Sequence, residues 1–304
     1  MFNAFIFPGQ GSQYVGMCND LFTEIKEVRD KYDQANEILG YDIADISFNG
    51  PENKLQSTIY TQPAIFMHSI IINDLLKKNG LSPNAVAGHS LGEITALVSA
   101  NVLNFKDALL IIKIRAKAMH DAGLKKSGSM AAIIGGNDEQ IKQLCSIDDT
   151  LTPANQNAPG QIIISGETNA IHQAIHQAKT IGIKRVMKLN VSGAFHSPLM
   201  KEARIPLKDV IESVNFKTSQ IPIYQNFNAK PETQSKKIKE NLIKQLENPV
   251  LWNQIINLMS KNNITNFFEI GPGKVLKGLN RRINNQILTY NYENLEDVND
   301  HAVL

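Results

Sequence analysis

Residues Gly88-His89-Ser90-Leu91-Gly92 stand between a short apolar run, Ala85-Val86-Ala87, and an apolar stretch that reaches about Ala100. A segment that reads strand, Gly-x-Ser-x-Gly, helix has few ways to fold. The turn must be sharp, and side chains at its flanks would collide with nearby backbone, so glycine holds both places. Such an elbow lifts the Ser90 hydroxyl clear of the sheet and sets it near a helix N-terminus. There, free N–H groups and the helix dipole favour negative charge. Alone, the motif also describes an idle Gly/Ser turn, because roughly one chain in ten of this length holds it by chance. The strand before it and the helix after it raise it above that background.

The same alternation runs through the chain. Phe2–Phe7 reads as a buried strand opening into the loop Pro8-Gly9-Gln10-Gly11-Ser12. Helical patterns follow at Met17–Asn36, Gln62–Lys78 and Lys106–Ala122, the last with Leu109, Ile112, Ala116 and Met119 on one face. Between about Ser127 and Asn190 the grain changes. Met130–Ile134, Leu151–Asn155, Gln161–Ser165 and Arg185–Leu189 read as strands, Asp138–Cys145 and Ala170–Ile181 as helices. That βαββαβ order predicts a small ferredoxin-like subdomain. After it come a helix to Ser213, a strand at Ile221–Gln225, helices at Lys236–Leu246 and Pro249–Lys261, a strand at Phe267–Ile270 and a last helix after Gly271-Pro272-Gly273. The expected fold class is α/β. A discontinuous parallel-sheet catalytic domain takes 1–126 and 191–290, the inserted subdomain takes 127–190, and 291–304 is a C-terminal tail, disordered or a linker.

Composition narrows the function classes. Of 304 residues, 42% are hydrophobic and 20% charged, with a formal net charge of +2. That is an ordinary globular balance with no global demand for nucleic acid. No apolar run reaches the roughly 20 residues a membrane span needs. The N-terminus lacks the basic start and cleavage pattern of a signal peptide. The two cysteines, Cys18 and Cys145, have no metal-like spacing. A cytoplasmic monomer without a metal is the expectation.

A serine needs a base to take its proton. His68, His120, His172, His176 and His301 lie in helical or terminal polar surroundings and read as surface residues. His89 is on the elbow itself and reads as a supporting residue. His196, after Ala194-Phe195 in a loop that enters a helix, suits either a base or a cap. Arg115 has apolar neighbours at Ile111, Ile112, Ala118 and Met119, which puts its guanidinium on a buried face. A buried arginine wants a partner. It is either one half of a structural ion pair or a fixed fork waiting for a substrate carboxylate.

Together these motifs resemble the malonyl-CoA:acyl carrier protein transacylase family. The resemblance rests on Phe7-Pro8-Gly9-Gln10-Gly11-Ser12-Gln13, Thr61-Gln62-Pro63-Ala64, Gly88-His89-Ser90-Leu91-Gly92-Glu93 and Arg115. It continues through Asn157-Ala158-Pro159-Gly160-Gln161, Gly193-Ala194-Phe195-His196-Ser197, Gln245-Leu246 with Asn248-Pro249-Val250, and Glu269-Ile270-Gly271-Pro272-Gly273. It implies a hydrolase-like parallel-sheet domain carrying the ferredoxin-like insert. It also implies a malonyl-Ser90 ester, His196 as general acid and base, and the Gln245 backbone carbonyl orienting the imidazole. The backbone N–H groups of Gln10 and Leu91 are the implied oxyanion hole. Arg115, Phe195, His89, Met119 and Asn157 fall on the substrate side, Phe195 where methylmalonyl-selective relatives carry a smaller residue.

Malonyl-CoA is the implied donor and no cofactor is bound. The acceptor is the phosphopantetheine thiol of an acidic acyl carrier protein. Lys274, Lys277, Arg281 and Arg282, or Lys184, Arg185 and Lys188 on the insert, are basic enough to receive it. An acyl-carrier thioester hydrolase is the rival on this fold, and the presence of Arg115 argues for transfer. The stretches Asn190–His196 and Asn228–Pro231 lean toward free-standing acyltransferases that load polyketide synthases, with a fatty acid enzyme as the alternative.

Overall fold

The computed structural model describes residues 2–302. Its strands, in chain order, are β1 (Phe2–Phe7), β2 (Ala85–Gly88), β3 (Gly128–Ile134), β4 (Thr152–Ala158), β5 (Gln161–Glu167), β6 (Arg185–Lys188), β7 (Ile223–Tyr224), β8 (Pro231–Glu232), β9 (Ile264–Ile270) and β10 (Leu288–Tyr292). The larger sheet has the order β10-β9-β1-β2-β7-β8. It is parallel apart from the short β7–β8 edge. Its central strands are apolar on both faces, as helices on both sides require. Phe5, Phe7 and Val86 enter one apolar cluster, while Ala4, Ile6, Ala85 and Ala87 enter another. That split is the two-residue period of a strand.

The smaller sheet is antiparallel with the order β4-β5-β3-β6. Helices Asp138–Cys145 and Thr168–Gln177 complete its own core around Ile133, Ile141, Ile164 and Ile171. The first and third strands of βαββαβ lie in the middle, as in a ferredoxin-like unit. Edge strand β4 is stitched to the larger part: Gln156 N–H donates to the Val250 carbonyl at 2.9 Å, and Val250 N–H to that of Ala154 at 2.9 Å.

Three expectations need correction. Residues after 290 are not a tail: β10 pairs with β9, and Leu295–Ala302 is a helix. Tyr292 and Val298 are buried. Asn, Asp and Glu at Asn291, Glu293, Asn294, Glu296, Asp297, Asn299 and Asp300 make the segment read as polar and hide both the strand and the helix. Residues 303–304 lie outside the described residues. The helix expected at Gln62 begins at Thr58. Pro63 cannot donate to the Ile59 carbonyl, but the Tyr41 hydroxyl takes that acceptor at 3.1 Å, so the helix runs through the proline. Finally, His68 is wholly buried on this helix, its Nε2 donating to the Glu293 carbonyl at 2.6 Å. The helix is packed nearly all round, which its mixed sequence conceals. The side chain of His301 lies outside the described residues. Among the described residues no helix is long and apolar enough to cross a membrane.

Candidate active site

The elbow is built as tightly as its glycines suggest. A Cβ on Gly88 would lie 1.9 Å from the Gly92 carbonyl, and one on Gly92 would lie 2.1 Å from the Phe7 carbonyl oxygen. Ser90 itself sits at φ 53° and ψ −105°, a costly conformation for a side chain. Its backbone is held from both sides. Ser90 N–H donates to Asn226 Oδ1 at 2.7 Å, Asn226 Nδ2 donates to the Gly88 carbonyl at 2.7 Å, and Gln245 Nε2 donates to the Ser90 carbonyl at 3.0 Å.

Ser90 Oγ lies 2.7 Å from His196 Nε2, and His196 Nδ1 lies 2.9 Å from the Gln245 carbonyl oxygen. A carbonyl only accepts, so Nδ1 carries the proton and Nε2 offers its lone pair to the serine hydroxyl. Burial, reinforced by the Arg115 charge, pushes the His196 imidazole down to about 3. The imidazole is therefore neutral across the physiological range, with its Nε2 lone pair facing the Ser90 hydroxyl. His89 points elsewhere: its Nε2 meets Asn157 Oδ1 at 2.9 Å. Asn157 thus touches His89 and ties the elbow to the smaller sheet.

Asn226 occupies the Ser90 N–H, which removes that group as an oxyanion donor. The N–H groups of Gln10 and Leu91 have no partner among the described residues, and both residues line the cavity at Ser90. Leu91 opens its helix, where an unpaired N–H is the rule.

Arg115 is 2% exposed, yet forms no ion pair among the described residues. Its Nη1 donates to Gln62 Oε1 at 2.6 Å, and its Nη2 to Gln245 Oε1 at 3.0 Å and Ser90 Oγ at 3.1 Å. Neutral acceptors aim the fork without cancelling its charge. Burial lowers the guanidinium to about 10, still fully charged near neutrality. Gln62 Nε2 donates to Thr58 Oγ1 at 2.8 Å, and that hydroxyl donates to Gln10 Oε1 at 3.0 Å. The arginine and the Gly-rich loop are thereby one hydrogen-bonded unit.

The cavity over Ser90 measures about 100 Å³. Gln10, Gln62, Ser90 and Arg115 make its polar side; Met119, Met130, Ile163, Leu189, Val191 and Phe195 make its apolar wall. Asn155 interrupts that wall, and its buried Oδ1 has no hydrogen-bond partner among the described residues. Among the described residues no group of His, Cys, Asp or Glu could hold a metal ion.

Most residues singled out from sequence meet here: Gln10, His89, Ser90, Leu91, Arg115, Met119, Phe195 and His196 line the cavity, and Gln245 touches three of them. The basic residues do not. Lys274 and Lys277 line a separate groove with Asp297 and Asp300, Arg281 is exposed, and Arg282 donates to Gln161 Oε1 at the β4–β5 turn. Sequence reasoning missed Thr58, Asn155 and Asn226 outright. Gln62 and Glu93 stood inside recognised motifs without a role.

An elbow serine, a neutral histidine on its hydroxyl and a fixed cation beside both define a serine acyl-transfer site on an α/β scaffold. An acyl transferase domain family matches residues 4–293. The malonyl CoA-acyl carrier protein transacylase of Bacillus subtilis (strain 168) is 40% identical over 293 residues, 94% of this chain and 92% of its own. That of Staphylococcus aureus (strain MSSA476) is 40% identical over 299 residues, 97% of this chain and 96% of its own. Among solved structures, an acyl carrier protein S-malonyltransferase from Vibrio cholerae superposes with a TM-score of 0.93 at 38% identity, covering 99% of each chain. A malonyl-transacylase determined in complex with its type II PKS acyl-carrier protein superposes with a TM-score of 0.95 at 36% identity, over 100% of this chain and 99% of that one. The chain belongs to the malonyl CoA-acyl carrier protein transacylase family.

Proposed function

We propose that this chain moves malonyl from malonyl-CoA to the phosphopantetheine thiol of an acyl carrier protein through a malonyl-Ser90 ester. The observation that carries the reading is Arg115, a buried cation in contact with no carboxylate among the described residues, donating to Ser90 Oγ at 3.1 Å. Three of the five N–H donors of its fork are engaged by Gln62, Ser90 and Gln245, which leaves two without a partner among the described residues for an incoming carboxylate. In the first half-reaction His196 Nε2 takes the Ser90 proton as Oγ attacks the thioester. Charge developing on the carbonyl oxygen is met by the N–H groups of Gln10 and Leu91, and His196 returns the proton to the departing thiolate. In the second, the carrier thiol repeats the sequence in reverse.

The acidic carrier docks on exposed basic residues, either Lys274, Lys277, Arg281 and Arg282 or Lys184, Arg185 and Lys188. The leaning toward a polyketide loader belongs to this proposal as well, and loading rates on polyketide and fatty acid carriers decide it. Intact-mass measurement after incubation with malonyl-CoA tests the core of the reading. The parent chain gains a malonyl adduct and Ser90→Ala gains none; an adduct on the variant would overturn the nucleophile assignment.

A further inference from the structure

Glu93 stands at the third position of the helix behind Ser90 and is wholly buried. Its carboxylate accepts from Asn226 N–H at 2.7 Å and from Gln225 Nε2 at 3.2 Å. Asn226 holds the Ser90 N–H, and Gln245 bridges Asn226, Ser90 and Arg115. Every link between Glu93 and Arg115 is a carboxamide or a backbone group. The other titratable side chains nearby, His89 and His196, are held neutral by burial. Among the described residues, the charge acting on Glu93 is therefore that of Arg115, and the charge acting on Arg115 is that of Glu93.

With Glu93 ionised, the free site holds one buried cation and one buried anion, linked only through neutral groups. A malonyl group brings a second anion into the same dry region, leaving an excess negative charge with little screening. The new carboxylate lies on the arginine fork and is stabilised there. Glu93 has only neutral donors and loses the attraction of a cation now shared with the substrate. We infer that Glu93 takes up one proton as the malonyl carboxylate binds Arg115, and releases it when the malonyl group leaves. This makes Glu93 a positioning and charge-compensating residue, and it rests on the malonyl-transfer reading above. Burial already lifts the Glu93 carboxyl to about 7, with its hydrogen bonds and Arg115 opposing the rise, so the added anion moves it through the neutral range.

The acyl step itself is proton-neutral while the released thiol stays protonated. Thioester and serine hydroxyl become ester and thiol, with His196 returned to its starting state. Proton uptake from solvent during loading therefore reports on the protein. Calorimetric titration at pH 7.5 in buffers of different ionisation enthalpy should show uptake of up to about three-quarters of a proton with malonyl-CoA, because a carboxyl at about 7 is already partly protonated there, and none with acetyl-CoA. The ratio of malonyl to acetyl acylation rates should fall by up to about tenfold per pH unit above pH 7. In Glu93→Gln, which keeps an acceptor for Asn226 N–H, that ratio should be independent of pH. A malonyl adduct formed without proton uptake, a flat ratio in the parent, or an unchanged slope in the variant would overturn the proposal. If the variant fails to fold, calorimetry on the parent decides alone. Absence of any malonyl adduct would instead sink the proposed function.

Discussion

Arg115 keeps its charge in a cavity where water screens it poorly, and among the described residues no carboxylate touches it. A carboxylate entering the cavity must give up its hydration, and a fork of N–H donors is what replaces it. Each charge-assisted hydrogen bond contributes about 1.5–3 kcal/mol. Arg115→Ala should therefore slow malonyl acylation of Ser90 by about 10²–10⁴-fold. Acetyl acylation, which needs no cation, should persist; equal loss with both donors would mean that Arg115 chiefly keeps Gln62 and Gln245 in place. His196 makes a second prediction. Its imidazole is depressed far below the usual value of about 6.5, so it stays neutral as pH falls through that range. Acetyl acylation measured from pH 8 down to 5.5 should show no break near 6.5. A break there would mean that water reaches the imidazole and that Arg115 does not act on it.

Between the residues and the fold stand the elements that hold them, and two glycines separate requirement from accident. At Gly92 a methyl group would drive into the Phe7 carbonyl, and the helix Leu91–Ser99 would have to leave β1, taking the Leu91 N–H with it. Gly92→Ala should abolish adduct formation and lower the melting temperature. At Gly278, inside the helix Val275–Ile283, an added Cβ meets nothing within 4 Å. Gly278→Ala should raise stability by about 0.4–1 kcal/mol, read as a small upward shift in melting, with activity unchanged. The contrast also explains what the sequence made legible. Strand, elbow and helix are contiguous between Ala85 and Ser99, so the turn that presents Ser90 was visible locally. The supports of that elbow were not: Asn226 and Gln245 reach Ser90 across 136 and 155 residues. No local pattern announces a carboxamide that will meet a backbone group so far away. The start of the helix at Thr58 was hidden likewise, because Pro63 reads as a beginning unless Tyr41 is known to satisfy Ile59.

At the scale of the whole molecule, the cavity exists because two sheets share it, the larger bringing Ser90 and the smaller bringing Met130 and Ile163, with Leu189 just past its edge strand. The larger sheet is closed by the segment the sequence presented as a tail. Glu293 accepts from Gly273 N–H at 2.7 Å, its carbonyl accepts from the buried His68, and Leu295 N–H donates to Asp20 at 2.7 Å. The loop so anchored lies against the Gly-rich loop that presents Gln10: a Cβ on Gly273 would sit 3.3 Å from the Ser12 carbonyl, and one on Gly271 3.0 Å from Pro8. Ending the chain at Ile287 would strip β9 of a neighbour and leave His68 Nε2 and Gly273 N–H without acceptors. Each buried donor so orphaned costs about 1–3 kcal/mol. Uncovering the partners of Tyr292 and Val298 costs about 1.5–3 kcal/mol apiece. Since each kcal/mol moves the midpoint of a chain this size by about 2–4 °C, the shortened protein should melt at least about 10 °C lower. Glu293→Ala, which removes only the carboxylate, should cost a few degrees and slow malonyl and acetyl acylation alike, because a loosened Gln10 serves both. A shortened chain that melts with the parent and loads Ser90 at the same rate would make residues 288–302 an appendage after all.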